Sequence, residues 1–554
     1  MQPRHSPLTL RLIFTALIGL LWSAALHAEM AQTESMAPQE AGAFAAELRS
    51  QLGQRSGSYS SQLHWTQLAT FYTTRDYLPV WVDTSGTNTD AEILLRTLHQ
   101  AGNEGLEPAA YPLPLLVQLW PSESIHELIT LELLLTNAFF DYSRKLQSGQ
   151  IDPMWSEQLW HIEVAETDSV SLLQALLTSD DFKIALKSLP PTHPAYRRLR
   201  DALARYRKIE AANNGWPTIP AGRTLRAGVQ DPRTPLLRQR LHLEGELQFA
   251  PVEDEMLFDQ ALRYAIERFQ LRHGLRVDGV VGPLTLAELN VPLSQRITQI
   301  RLNMERWRWL PNQLGHRHII VNVAAYHLSA YNHGERQFTM NTIIGTLQRP
   351  TPLIAGKIHT VVFNPYWTIP LSIALDELIP RQRRHPGYFA SRGIRVFSHW
   401  DDGKELAPRS INWSRLNENH FPYMLRQDPG PKNPLGKTKF IFTNEFDIYL
   451  HDTPGRQLFN RTERALSHGC IRVEEPSRLA AYILANKPLL HWTEEKIRSV
   501  VATGATRRVP VSPSVPVYLL YLTAWVGDDG AVHFRKDVYG EDEMLLIRLP
   551  DREL

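Results

Sequence analysis

The period of the hydrophobic pattern changes along this chain, and the changes divide it. From residue 61 to 222, apolar side chains recur at helical spacing. One stripe carries Leu94, Leu95 and Leu98, with Asp90 placed to cap it and Gly102 to stop it. A longer stripe carries Leu128, Leu131, Leu135, Phe139, Tyr142 and Leu146. Ser124 and Glu127 have the spacing of a capping box at its start, and Gly149 ends it. The pattern predicts a helical scaffold that holds no cluster of catalytic residue types. A loop at Asn213-Asn214-Gly215-Trp216-Pro217 closes the region.

A compact helical unit follows at 223–292. Ala265 to Gln270 reads as part of a helix ending near His273-Gly274, and Asp278-Gly279 and Gly282-Pro283 force turns before a second helix with Leu286 and Leu289. A connecting helix lies within 293–316, with Ile297, Ile300, Met304 and Trp307 on one stripe. From 317 the period drops to two. His318–Leu328, Gln337–Ile344, Lys357–Phe363, Lys439–Phe442 and Asp447–His451 all read as strands. A helix opens near Pro476 with Leu479, Tyr482 and Ile483. Strand signals stop between 371 and 428, where Arg381, Arg383, Arg384, Arg392 and Arg395 stand among prolines, glycines and aromatics. An interruption of that length inside a compact domain reads as a lid or binding insertion. Residues 501–554 predict a hairpin, Val517–Trp525 with Ala531–Phe534, packed on the β-rich domain of 317–500. The fold class expected is multidomain α+β, with helical scaffold, small helical domain and a β-rich, sandwich-like catalytic domain.

The first 28 residues stand apart. Arg4 and Arg11 precede an apolar run from Leu12 to Leu26, with small residues after it. This is the pattern of a secretory signal peptide, and the run is short of the ~20 residues that span a bilayer. Export to a periplasm is expected; if uncleaved, the segment would be an inner-membrane anchor. Residues 29–60 lack clear periodicity and read as a flexible lead-in. Hydrophobic residues at 43 % and charged residues at 21 % suit globular domains, and a net charge of +1 argues against a broad nucleic-acid surface.

A single cysteine, Cys470, remains to be explained. It can form no intrachain disulfide, and outside the cytoplasm a free thiol is open to oxidation. Catalysis is the obvious reason to keep it. A thiol of ordinary pKa, about 8.5, is mostly protonated at neutral pH and needs a base or a cation nearby. His451 lies 19 residues upstream at a predicted strand end, where a neighbouring strand would carry it to Cys470. His468, in the run Ser467-His468-Gly469-Cys470, would line the site or brace the loop. Gly469 permits close backbone approach, and amides around Gly469 and Cys470 could form an oxyanion hole. Arg472 suits a substrate carboxylate or a structural ion pair.

His451, fifteen intervening residues and Ser467-His468-Gly469-Cys470-Ile471-Arg472 together resemble the signature of L,D-transpeptidase catalytic domains. Asn364-Pro365-Tyr366-Trp367, Asn433-Pro434-Leu435-Gly436 and Tyr449-Leu450-His451-Asp452 are similar to segments of the family's larger periplasmic Gram-negative members. The unit at 223–292 resembles their peptidoglycan-binding domain, and 61–222 their scaffold. One departure is Arg472, where many members carry Asn. The resemblance implies that Cys470 attacks the amide between a diaminopimelate and the terminal D-alanine of a tetrapeptide stem, with His451 as base. A second stem's diaminopimelate amine then resolves the thioester into a 3→3 cross-link. It further implies donor-site roles for Trp367 and Tyr449, capping by the arginine-rich insertion, acylation by carbapenems, other cell-wall synthases as partners and no cofactor. Three rival readings remain: a zinc hydrolase ligated by His451, His468 and Cys470, a non-catalytic wall-binding protein, and the same thioester passed to water, a D-amino acid or a lipoprotein amine.

Overall fold

The structure is a computed structural model describing residues 38–55, 63–155, 160–248, 251–399, 403–485 and 491–549. The expected signal segment at 1–28 lies outside the described residues. The chain forms two compact units. Described residues of 1–100, 108–143 and 168–186 make the first, and 101–107, 144–167 and 187–554 the second.

The first unit is largely helical. Part of the expected flexible lead-in is the helix Pro38–Gln54, which buries Phe44, Leu48 and Leu52. Those three repeat at i, i+4 and i+8, a stripe that the surrounding Ala, Gln and Glu obscure. The helix Thr89–His99 is capped by Asn88, whose side chain accepts from Ala91 N–H at 3.0 Å, rather than by Asp90. Asp90 lies one residue inside the helix, where its carboxylate still meets the positive end of the helix dipole. The long helix Ile125–Gln147 buries Leu128, Leu131, Leu135 and Phe139 as expected. Its Glu127 accepts from Ser122 Oγ at 2.5 Å, so the expected partnership with Ser124 is displaced by two residues.

In the second unit, helix Pro194–Asn213 turns Tyr196, Leu199, Leu203 and Tyr206 into the same core as the strands from 317 onward, although the sequence groups it with the scaffold. A separate small core of Leu237, Leu241, Leu262, Ile266, Phe269 and Leu289 organises the helical unit before Leu293. There Gln270 is buried and its carbonyl oxygen accepts from Asp278 and Gly279 N–H, both at 2.9 Å. Its amide donates to Val280 O at 2.9 Å, so one side chain fixes the Asp-Gly turn.

The strands of the second unit are β1 (Arg317–Asn322), β2 (His327–Asn332), β3 (Glu335–Gly345), β4 (Ala355–Phe363), β5 (Trp367–Thr368), β6 (Ile394–Phe397), β7 (Glu405–Leu406), β8 (Met424–Gln427), β9 (Thr438–Phe442), β10 (Tyr449–His451), β11 (Ala465–Ser467), β12 (Ile471–Val473), β13 (Arg507–Leu520), β14 (Ala524–Val526) and β15 (Val532–Phe534). The single strand expected at 318–328 is two, broken at Val323–Tyr326, where Tyr326 takes a left-handed φ of 56°. The main sheet runs β11-β3-β12-β10-β9-β4-β13-β1-β2, and β2 also pairs with β3, so the sheet closes on itself. The expected C-terminal hairpin divides. Val517–Leu520 belongs to β13, parallel to β1 inside the main sheet, while β14 and β15 alone form the hairpin. An apolar run of this length fits either role, and burial on both sides decides for the sheet.

The interruption at 371–428 is a folded subdomain rather than a bare loop. Its antiparallel sheet, β5-β8-β6-β7, and short helices enclose Ile369, Leu378, Phe389, Val396, Trp413 and Leu425. Strands of two to four residues are too short to show a period in the sequence.

Candidate active site

Alternation along three neighbouring strands builds the site. In β9, Thr438, Phe440 and Phe442 face the core, leaving Lys439 and Ile441 on the other side. Leu450 of β10 and Ile471 and Val473 of β12 are likewise core residues. Paired residues share a face. Lys439 stands opposite His451, and His451 opposite Arg472, so the three form one row across the sheet. Tyr449 and Cys470, two positions back along their strands, return to that face. A cavity of about 230 Å³ covers it. Trp367, Tyr449, His451, Ser467, His468, Cys470 and Arg472 all line this cavity, as do Glu377, Arg381 and Arg392 of the insertion.

Cys470 is half-buried, with its sulfur 3.9 Å from Asp447 O. Burial pushes the thiol pKa up. The backbone N–H and phenol of Tyr449, together with the charge of Lys439, pull the other way. His451 is buried and its Nδ1–H donates to Asp452 O at 2.5 Å. A carbonyl only accepts, so Nε2 keeps the lone pair. Burial first, and then the neighbouring Arg472 charge, push the imidazole down to about 3. The resting histidine is therefore neutral and able to accept a proton. Among the described residues, no hydrogen bond joins His451 to Cys470.

The turn before the thiol is braced internally. Gly469 has φ +108°, a conformation that L side chains rarely adopt. Ser467 Oγ donates to Cys470 O at 2.6 Å and accepts from Gly469 N–H at 3.2 Å. The Gly469 amide, expected to help form an oxyanion hole, is thus engaged by Ser467. Thr351 Oγ donates to Gly469 O at 2.7 Å and accepts from Gly345 N–H at 2.9 Å. His468 points to the insertion, with Nε2 2.6 Å from Glu377 Oε1. Arg472 lines the cavity with a buried Nε that has no partner among the described residues. Among those residues, no group of three or more His, Cys, Asp or Glu side chains is placed to hold a metal ion.

Of the insertion arginines, Arg381 and Arg392 reach the cavity, whereas Arg395 pairs with Glu405 and Arg383 and Arg384 are exposed. Sequence reasoning missed Lys439 and Glu377. Lys439 enters through strand register and Glu377 through tertiary packing, and neither leaves a local signal.

Comparison with known proteins bears on the same residues. Residues 316–508 match the family described as "L,D-transpeptidase catalytic domain". This region is an L,D-transpeptidase catalytic domain. Residues 231–289 match "Putative peptidoglycan binding domain", and residues 66–203 match "Scaffold domain". A protein of Haemophilus influenzae named "Putative L,D-transpeptidase" is 36 % identical over 258 residues, 46 % of this chain and 51 % of that protein. The chain thus spans about half the length of the curated relative it matches. Solved L,D-transpeptidases from Xylanimonas cellulosilytica and Stackebrandtia nassauensis are 17 % and 13 % identical, with TM-scores of 0.17 and 0.21. They cover 54 % and 55 % of this chain and 99 % and 96 % of their own. All the cavity residues named above lie within 316–508.

Proposed function

We propose that the protein is a peptidoglycan L,D-transpeptidase with Cys470 as nucleophile and His451 as base. The observation that carries this reading is their meeting in one cavity of an L,D-transpeptidase catalytic domain, with His451 neutral and its Nε2 lone pair uncommitted. The thiolate attacks the carbonyl carbon of the diaminopimelate–D-alanine amide. The proton taken up by His451 passes to the leaving amine, D-alanine departs and a thioester remains on Cys470. The side-chain amine of a second stem attacks that thioester, restoring the thiol and forming a 3→3 cross-link. The reaction needs no metal.

Arg472 and the insertion arginines Arg381 and Arg392 suit the stem carboxylates. Trp367 and Tyr449 give the donor stem apolar walls. The Cys470 amide serves the oxyanion in place of the Gly469 amide. The domain at 231–289 would hold the enzyme on the wall, which places the activity outside the cytoplasm. By the same reading carbapenems acylate Cys470.

The test is incubation of the full chain with tetrapeptide-rich wall material, followed by mass spectrometry of the digest. We expect 3→3 dimers with the wild type and none with Cys470→Ala. Dimers that persist in the variant would sink the reading. Loss of D-alanine without dimers would assign the thioester to water or to another amine.

A further inference from the structure

Thiol enzymes commonly hold their thiolate against an imidazolium. His451 offers no imidazolium at neutral pH, because it is buried beside a guanidinium. One positive charge that favours the thiolate comes from the sheet itself. Lys439 of β9 sits opposite His451 on the cavity-side face. Its Nζ lies 3.6 Å from the centroid of the Tyr449 ring. Tyr449 lines the cavity with Cys470, and its N–H and phenol pull the thiol pKa down. Lysine, aromatic ring and thiol therefore share one face of the sheet.

Lys439 also lacks an obvious structural duty. Among the described residues no carboxylate lies within ion-pair distance of it, although it is more than half buried. Buried ammonium groups are costly unless compensated. The groups that feel its charge are Cys470, Asp447, Arg508 and His451, whose imidazole it helps to hold down. Arg508 repels it from β13, where both residues pair with Val362 of β4. Asp447 opposes thiolate formation, Arg472 of β12 favours it, and His468 is turned away to Glu377.

We propose that Lys439 is a positioning residue that sustains the Cys470 thiolate from the sheet beneath it, through the Tyr449 ring. This rests on the reading of Cys470 as nucleophile. No proton is shared in the role. The thiol proton leaves to His451 Nε2 or to water, and Lys439, whose pKa burial pushes down, takes no part in the transfer. An anion forming on sulfur is stabilised by that fixed charge, and by Tyr449 hydrogen bonds that the cation polarises.

Cys470 is the chain's only cysteine, so thiol alkylation reports on it alone. The experiment follows the rate of iodoacetamide labelling of the full chain against pH, for wild type, Lys439→Met, Lys439→Gln and Lys439→Arg. Circular dichroism establishes folding of each. In the Met and Gln variants the midpoint of the pH–rate curve should move up by about one unit, a roughly tenfold loss of rate near neutrality. The Arg variant should stay within about threefold of wild type. A folded Met or Gln variant with an unshifted midpoint overturns the proposal, and so does an Arg variant as slow as Met. If both neutral variants unfold, the Arg variant decides alone, by matching wild type or failing to. A native wild type that resists labelling while the unfolded chain reacts would instead overturn the nucleophile reading itself.

Discussion

A histidine depressed to about 3 has consequences that can be measured directly. Its imidazole should remain neutral, with the proton on Nδ1, from pH 8 down to about pH 4. Nitrogen-15 NMR of His451 checks this, and an imidazolium signal at pH 6 would contradict the buried geometry. A second outcome concerns Thr351, whose fully buried hydroxyl joins Gly345 N–H to Gly469 O. Thr351→Val keeps the shape but leaves both groups without that partner, at a cost of about 1–3 kcal/mol. Urea denaturation should register the loss, and alkylation of Cys470 should lose its single-exponential course as the turn loosens. At this scale the sequence speaks plainly where chemistry is concentrated. Cys470 and His451 are legible because a lone thiol and a motif spacing are local facts. Lys439, Glu377 and Thr351 are not, since each acquires its contact from a residue 12 to 118 positions away.

Among elements, the pairing of β3 with β11 and β12 positions the thiol. Gly345 is the tightest point in it. A Cβ there would stand 2.1 Å from Arg349 O, a backbone atom that cannot step aside. Gly345→Ala should therefore shift the Thr346–Thr351 loop and with it the brace on Gly469. The expected result is a large loss of activity together with a fall in Tm, read by wall digestion assays and calorimetry. Long apolar elements such as Ile125–Gln147 and Leu293–Arg308 were readable because three or more turns repeat the stripe. The insertion was readable only as an interruption, because its strands repeat the pattern once or twice. Position in space decided the fate of Val517–Leu520, which sequence alone grouped with the hairpin that follows it.

Over the whole second unit, buried charge rather than apolar area sets the most sensitive points. Glu244 is fully enclosed, 2.7 Å from Arg240 and within 4 Å of Arg272 and His273. Burial opposes its ionisation, yet the two arginines hold the carboxyl well below the usual range. Glu244→Ala strands Arg240 without its partner and should cost about 3–5 kcal/mol in urea unfolding. Acid should weaken this unit through its histidines. His451 and His327 are held at about 3 and His533 at about 4, all chiefly by burial. The unfolded chain takes up these protons from about pH 6.5 downward, while the folded one refuses them until pH 3–4. Stability is thus complete above pH 6.5 and falls as pH drops, by about 2 kcal/mol per histidine at pH 5. Unfolding midpoints measured at pH 7 and pH 5 test the sign.

The closed sheet sets an order of events during synthesis. β13 fills the gap between β4 and β1, almost two hundred residues after β1 has been made. Until Arg507–Leu520 arrives, both neighbours present bare edges and the ring that carries Lys439, His451 and Arg472 cannot close. The thiol is then complete in sequence but its surroundings are not. A chain cut before Arg507 should keep Cys470 and yet fail to be acylated by a carbapenem, as mass spectrometry of the intact protein would record. This last-made strand of the main sheet therefore acts as a clock, because pairings across such a separation form slowly and late.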